Sequence, residues 1–249
     1  MILLRGTMNS LDEILDISTL KVEVKKRDVK NLRIGVFPPT GRVRVTAPLN
    51  YDQNLIEAVV IKKLNWIRRQ QESLKSQERQ SEREAVSGES YFYKGKKYRL
   101  IVTTGGIRGK LIIKNNSKME LAISPEASES SRLNVINSFY RKALQEELDL
   151  LVPKLAGAIG AEVSSYGIRK MKNRWGSCDS KRKHINVNIE LIKKNPACLN
   201  YIVVHELVHI IEPNHNQKFK ELMDAKLPNW RYFRDLLNSA PLAYAHWDY

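Results

Sequence analysis

Three of the five histidines in the chain fall within HELVHIIEPNHNQKF, residues 205–219, and a glutamate directly follows the first of them. On an α-helix, residues four apart share a face, so His205 and His209 can aim their imidazoles at one ion with Glu206 beside them. Two imidazoles suit zinc, and an adjacent carboxylate can take a proton from an attacking water, the chemistry of an HExxH arrangement. The run YIVVHELVHII is apolar nearly all round, which predicts a buried helix. Two histidines and a carboxylate are costly there unless something satisfies them, and a bound cation would do so.

Such a zinc site needs a third protein ligand and an open fourth position, and the candidates are Glu212, His215, Glu221 and Asp224. Glu212 lies roughly 10 Å along the helix axis from His205, too far for ligand bonds that close to about 2 Å. His215 is better placed. Pro213 cannot continue a helix and Asn214 tolerates left-handed backbone, so the turn can return His215 toward the ion. The spacing from His205 to His215 equals that of the metzincin signature HExxHxxGxxH, with Glu212 at the glycine position. Glu212 itself reads either as a partner that orients a ligand histidine or as an exposed helix-end carboxylate. Cys178 reads as a small buried residue, and His184 and His246 as structural or surface histidines.

The elements that must position these groups divide the chain into an α+β arrangement, β-rich at the start. Ser10-Leu11-Asp12-Glu13 is a capping-box pattern that could open a short helix in an N-terminal extension, residues 1–19. From Leu20, LKVEVKK, LRIGVF and VRVTAP alternate with period two, as in a three-stranded antiparallel meander. Residues 52 to about 84 show helical spacing that fades in a polar, mixed-charge second half. YFYKGKKYRLIVT, KLIIKN and MELAIS read as further strands, completing a β-rich lobe over 20–127. The lobe over 128–249 opens with a long helix that Pro153 should bend or interrupt. IRKMKNRWGSC and HINVNIEL follow as strand candidates. No internal repeat is visible.

Composition bounds the partners. With 42 Lys plus Arg against 27 Asp plus Glu, the net charge of +15 favours polyanions, unless it is only a solvated surface spread along the chain. Seven basic residues between 169 and 183 (Arg169, Lys170, Lys172, Arg174, Lys181, Arg182, Lys183) make DNA or another polyanion a candidate partner, with Trp175 available for stacking. Two cysteines, Cys178 and Cys198, are too few for a disulfide framework. A cytoplasmic protein is therefore expected. No continuous apolar segment near the start suggests a signal peptide, and no apolar run approaches membrane-spanning length.

RWGSC at 174–178, INVN at 185–188 and the histidine stretch together resemble the YgjP-like metal-dependent hydrolases, zincin-type proteins akin to SprT-like and Wss-type proteases. RDVKNLRIGVFPPTGRVRVTAP and YFYKGKKYRL are similar to that family's N-terminal part, so the resemblance covers most of 20–240, and 20–249 could be one such domain. It implies a zincin-like second lobe, one Zn2+ on His205, His209 and His215, and Glu206 as general base. It also sets Arg174, Trp175, Gly176 and Ser177 near the cleft. Arg174, Trp175, Ser177 and Asn186 are the candidate substrate contacts, although RWGSC is equally a packing motif at a strand bend. An oxyanion would need a further donor, for which Arg174, Tyr244 and His246 are candidates. The leading expectation is a zinc metallopeptidase acting through activated water. A metal-dependent hydrolase of nucleotides or phosphoanhydrides is an alternative, without any GxxxxGK[ST] loop to support it. A DNA-associated protease or nucleic-acid-binding module is another, by analogy with the SprT-like and Wss-type proteins.

Overall fold

The computed structural model describes residues 12–37, 40–76, 83–106, 108–171 and 174–239, without the side chains of 73–76, 238 and 239. The chain divides into two compact units, residues 1–78 and 79–249. This differs from the boundary at 127/128 expected from composition. The strands of residues 90–123 share one continuous core with the helices that follow, so a break there would expose apolar surface on both sides.

In the first unit, β1 (Asp12–Ile17), β2 (Leu20–Arg27), β3 (Arg33–Phe37) and β4 (Arg42–Pro48) form a sheet of order β1-β2-β4-β3. β1 occupies the segment whose capping box suggested a helix. Its antiparallel pairing with β2 turns Ile17 into the core, and Lys25 and Arg27 hold Asp12 at 2.7 and 2.8 Å. Tertiary pairing outweighs the local cap signal. Nor is the sheet a meander, because β2 and β4 pair in parallel and β3 lies at the edge. Burial explains the order. Val22, Val24, Val43 and Val45 are at most 1% exposed, whereas β3 has no fully buried residue. The expected helix over 52–84 is two helices, α1 (Gln53–Lys62) and α2 (Leu64–Ser76), separated at Lys63, and residues 83–86 are not helical. Ile56, Val60 and Ile67 close the core against the sheet.

The second unit opens with β5 (Ser90–Tyr93), β6 (Lys96–Thr104), β7 (Lys110–Ile113) and β8 (Lys118–Ile123), in the order β5-β6-β8-β7. Here too the outer pairs are antiparallel and the inner pair, β6 and β8, is parallel. The first unit's topology is thus repeated, a structural repeat that no sequence periodicity announced. Lys94 and Gly95, with φ of 49° and 78°, make the tight β5–β6 turn. Their N–H groups donate to the carbonyls of Ile192 and Lys193 in a 3-10 helix, Ile189–Lys193.

Helix α3 runs unbroken from Glu129 to Ile159, through Pro153. The carbonyl that loses its donor there belongs to Asp149, an exposed residue where water can satisfy it, so the proline does not end the helix. Gly160, at φ 81°, caps it. Next come β9 (Ser165–Arg169), β10 (Gly176–Asp179) and β11 (His184–Asn188), in the order β10-β11-β9. IRKMKNRWGSC is therefore not one strand: its ends belong to β9 and β10. The chain finishes its described part with α4 (Pro196–Ile211), α5 (Gln217–Lys226) and α6 (Trp230–Ser239). No helix among the described residues is long and apolar enough to cross a membrane.

Candidate metal centre

α4 is the central element of the second unit, and its apolar sequence is why. Cys198, Leu199, Val203, Val204, Leu207 and Val208 are all buried, and Pro196 at the first turn with Asn195 as N-cap sets its start. His205 and His209 stand one turn apart on its partly open side, as their spacing predicts. The helix ends at Ile211, where Glu212 takes an extended conformation, φ −132° and ψ 98°. Asn214 is not left-handed. The turn is instead tied by hydrogen bonds, from the Asn214 N–H to Glu212 Oε1 at 3.3 Å and from the Asn216 N–H to the Asn214 carbonyl at 2.8 Å. Asn216 then caps α5 by accepting from the Phe219 N–H at 3.0 Å.

This turn brings His215 back over α4. Its Nε2 lies 3.1 Å from Nε2 of His205 and 3.1 Å from Nε2 of His209. A single ring proton cannot serve both contacts. Tetrahedral zinc with bonds of 2.0–2.1 Å would hold nitrogens about 3.3 Å apart, close to what is found. The ligand atoms of the three residues lie within 4.8 Å of one another. His209 Nδ1–H donates to the Glu212 carbonyl at 3.2 Å, which leaves its Nε2 lone pair turned toward the other rings. Burial, with His209 and His215 nearby, depresses His205 to a pKa of about 3, and burial also lowers His209. Both rings are thereby kept neutral, the form that binds metal. Among the described residues, His205 Nδ1 is buried without a hydrogen-bond partner. Phe219, 1% exposed, packs its ring 4.6–5.0 Å from all three imidazoles.

The other third-ligand candidates are engaged elsewhere. Asp224 accepts from Trp230 Nε1 at 2.8 Å and pairs with Arg231, and Glu221 accepts from Gln217 at 3.2 Å. Glu212 touches His209 through its main-chain carbonyl, while its carboxylate braces the turn and lies 3.8 Å from Lys218.

Glu206 points from the buried side of α4 toward β10. It is 5% exposed, and burial pushes it up to about 8, against the pull of the Arg174 guanidinium. A dication on the histidines would act in the same sense as Arg174. The strand leaves room for the carboxylate only because residue 176 is glycine. A Cβ there would collide with Glu206 Oε1 and stand 2.8 Å from its Cγ and Cδ. Cys178, on the same face of β10, feels burial and the Glu206 charge and rises to about 11. It is not part of the histidine cluster.

Asn188, 3% exposed, fixes the segment that leads into β10. Its Nδ2 donates to the carbonyls of Met171 at 2.8 Å and Arg174 at 2.7 Å, its N–H donates to the Trp175 carbonyl at 2.9 Å, and its Oδ1 caps the 3-10 helix at Glu190. Neither Asn188 nor Phe219 could be singled out from sequence, since their roles arise from long-range pairing. Gly176 carried a signal, a glycine directly before a strand, without its reason.

Of the candidate substrate contacts, Arg174 is electrostatically coupled to Glu206. Trp175 packs partly into the core, with Lys194 Nζ 5.8 Å from its ring centroid. Ser177 and Asn186 pair with one another in register. Strand alternation turns both away from the face that Gly176 and Cys178 present to α4, and the Asn186 side chain lies beside Gly167. They are not gathered with the histidines. Tyr244 and His246 lie outside the described residues. The basic cluster is divided: Arg169, Lys170 and Arg174 flank one end of the three-stranded sheet, while Lys181, Arg182 and Lys183 sit in the turn at the other end. Lys183 pairs there with Glu162, and Arg182 Nε lies 3.8 Å from Asp179.

No curated protein matches the chain. Among solved structures, the metallopeptidase zymogen of Pyrococcus abyssi abylysin is similar over 36% of this chain and 90% of that chain, at 18% identity and a TM-score of 0.34. The family described as YgjP-like, metallopeptidase domain, matches residues 30–240. With that match spanning most of its 249 residues, the chain belongs to the YgjP-like metallopeptidase family.

Proposed function

We propose that the protein is a zinc-dependent peptidase with one Zn2+ per chain on His205, His209 and His215. The convergence of their three Nε2 atoms beside a buried glutamate carries this reading. Zinc held there would polarise the scissile carbonyl and make a water acidic enough to attack at neutral pH. Glu206 accepts the proton of the attacking water at a carboxylate oxygen and returns it to the leaving amine. Gly176 and the surrounding burial hold that carboxylate in one place, and Arg174 supplies positive charge beside it.

The polypeptide is best received at β10. Among the described residues this strand pairs only with β11, so its outer edge can add an extended segment. β11 itself is excluded from that role, because β10 and β9 occupy both of its edges.

Glu206→Gln should keep stoichiometric zinc and lose about 10²–10⁴-fold in hydrolysis of an unfolded polypeptide such as casein, the usual worth of general acid–base catalysis. Full activity in that variant would discard Glu206 as the base. His215→Ala should lose zinc by elemental analysis, and a variant retaining it fully would discard the third ligand.

A further inference from the structure

A second concave site lies on the opposite flank of the three-stranded sheet from β10. It is a cleft of about 270 Å3 between α3, the residue after β9, and the start of the 3-10 helix. Asn134, Asn137, Ser138 and Arg141 line one wall at i, i+3, i+4 and i+7, the spacing that aligns side chains along one helix face. Lys170 and Glu190 complete it, with Ile189 at the apolar part.

The donors in this cleft outnumber its acceptors. Glu190, the one acid among the described residues of the lining, is occupied: Lys193 Nζ lies 2.8 and 3.0 Å from its two oxygens. Among the described residues, Arg141 spends one Nη1 hydrogen bond on the Ile168 carbonyl at 3.1 Å, which anchors the guanidinium and leaves its other N–H groups turned to the cleft and solvent. Neither Arg141 nor Lys170 has a carboxylate partner among the described residues. Two cations, two side-chain amides and a hydroxyl thus converge on a space of small-molecule size.

We propose that this cleft binds a phosphate group, as inorganic phosphate or a small phosphomonoester. Its donors come from two sides and its two cations match the charge of a phosphate dianion. A tracking nucleic-acid backbone fits less well, because Lys181, Arg182 and Lys183 lie at the far end of the sheet. The site does not depend on zinc at the histidines. Lys170 does directly precede Met171, whose carbonyl, like that of Arg174, accepts from Asn188 Nδ2.

The test is isothermal titration of the 249-residue chain with inorganic phosphate in low-salt chloride buffer. Acetate and a single-stranded oligonucleotide serve as parallel probes, and thermal melts check folding. Saturable phosphate binding should weaken about tenfold or more in Arg141→Ala and in Lys170→Ala, the worth of a lost charge-assisted hydrogen bond. Arg141→Lys should retain part of the affinity, and Lys181→Ala should leave it unchanged. The proposal is overturned by absence of saturable binding or by unchanged affinity in both alanine variants. Acetate binding as tightly as phosphate would reassign the cleft to carboxylates, and oligonucleotide binding equally sensitive to Lys181→Ala would reassign it to a nucleic-acid surface.

Discussion

Residues 12–76 and 90–159 each lay two hairpins side by side with their inner strands parallel, then add a helix whose N-cap side chain accepts from the N–H three residues on. The first arrangement closes on itself: its core of valines and isoleucines is filled by α1 and α2, which break at Lys63. The second stays open on one side, and its 31-residue α3 shares a core with α4, the helix that carries His205, Glu206 and His209. One topology has thus served as a module with its own core and as a scaffold. The difference comes from helix length and from which strand positions are apolar, not from strand order.

Paired core truncations test that contrast most strongly. Ile56→Ala and Leu144→Ala should each cost about 2–5 kcal/mol in their own unit. Only Leu144→Ala should lower metal content and peptidase activity along with stability. Equal loss of metal in Ile56→Ala would erase the distinction between module and scaffold.

Next in size is Gly176→Ala. The added Cβ must push Glu206 aside, and a displacement of that order costs about 10²-fold in turnover while zinc is retained. Unaltered kcat would show that the carboxylate need not rest on β10. Asn188→Ala should follow, removing two donors and a cap at a cost of about 1–3 kcal/mol, with a fall in kcat larger than any change in KM. If only stability moved, Asn188 would serve the fold and not the site.

The smallest effect belongs to the seam between the second sheet and α3. Tyr140→Phe removes the hydroxyl that donates to the Phe92 carbonyl at 2.7 Å, worth about 0.5–1.5 kcal/mol. Chemical denaturation should register it without any loss of activity.

The candidate metal centre was readable because its parts are local: His205, Glu206 and His209 follow helical spacing, and Pro213 marks where the helix must stop. The manner of the turn was not, since the reversal comes from Glu212 in an extended conformation and from hydrogen bonds across 212–216 rather than from a left-handed Asn214. Strands were legible from alternation, yet their order was not. Alternation fixes which face is buried and leaves the choice of neighbour to the whole chain. For the same reason the repeated topology passed unseen: VEV in β2 and YRL in β6 hold equivalent inner places with no residue in common. Ser177 and Asn186 illustrate the remaining limit, because membership in RWGSC and INVN says nothing about which face a side chain takes.

His215 belongs to the turn before α5, whereas the other two imidazoles belong to α4. An ion on all three therefore closes a loop of the chain, and its binding free energy becomes stability of the turn and of α5. Metal affinity and local folding are then one quantity seen from two ends. Chelation should raise amide hydrogen exchange across residues 212–226 before it reaches α4, so that a cell short of the metal would hold this protein with its core formed and its active site undone.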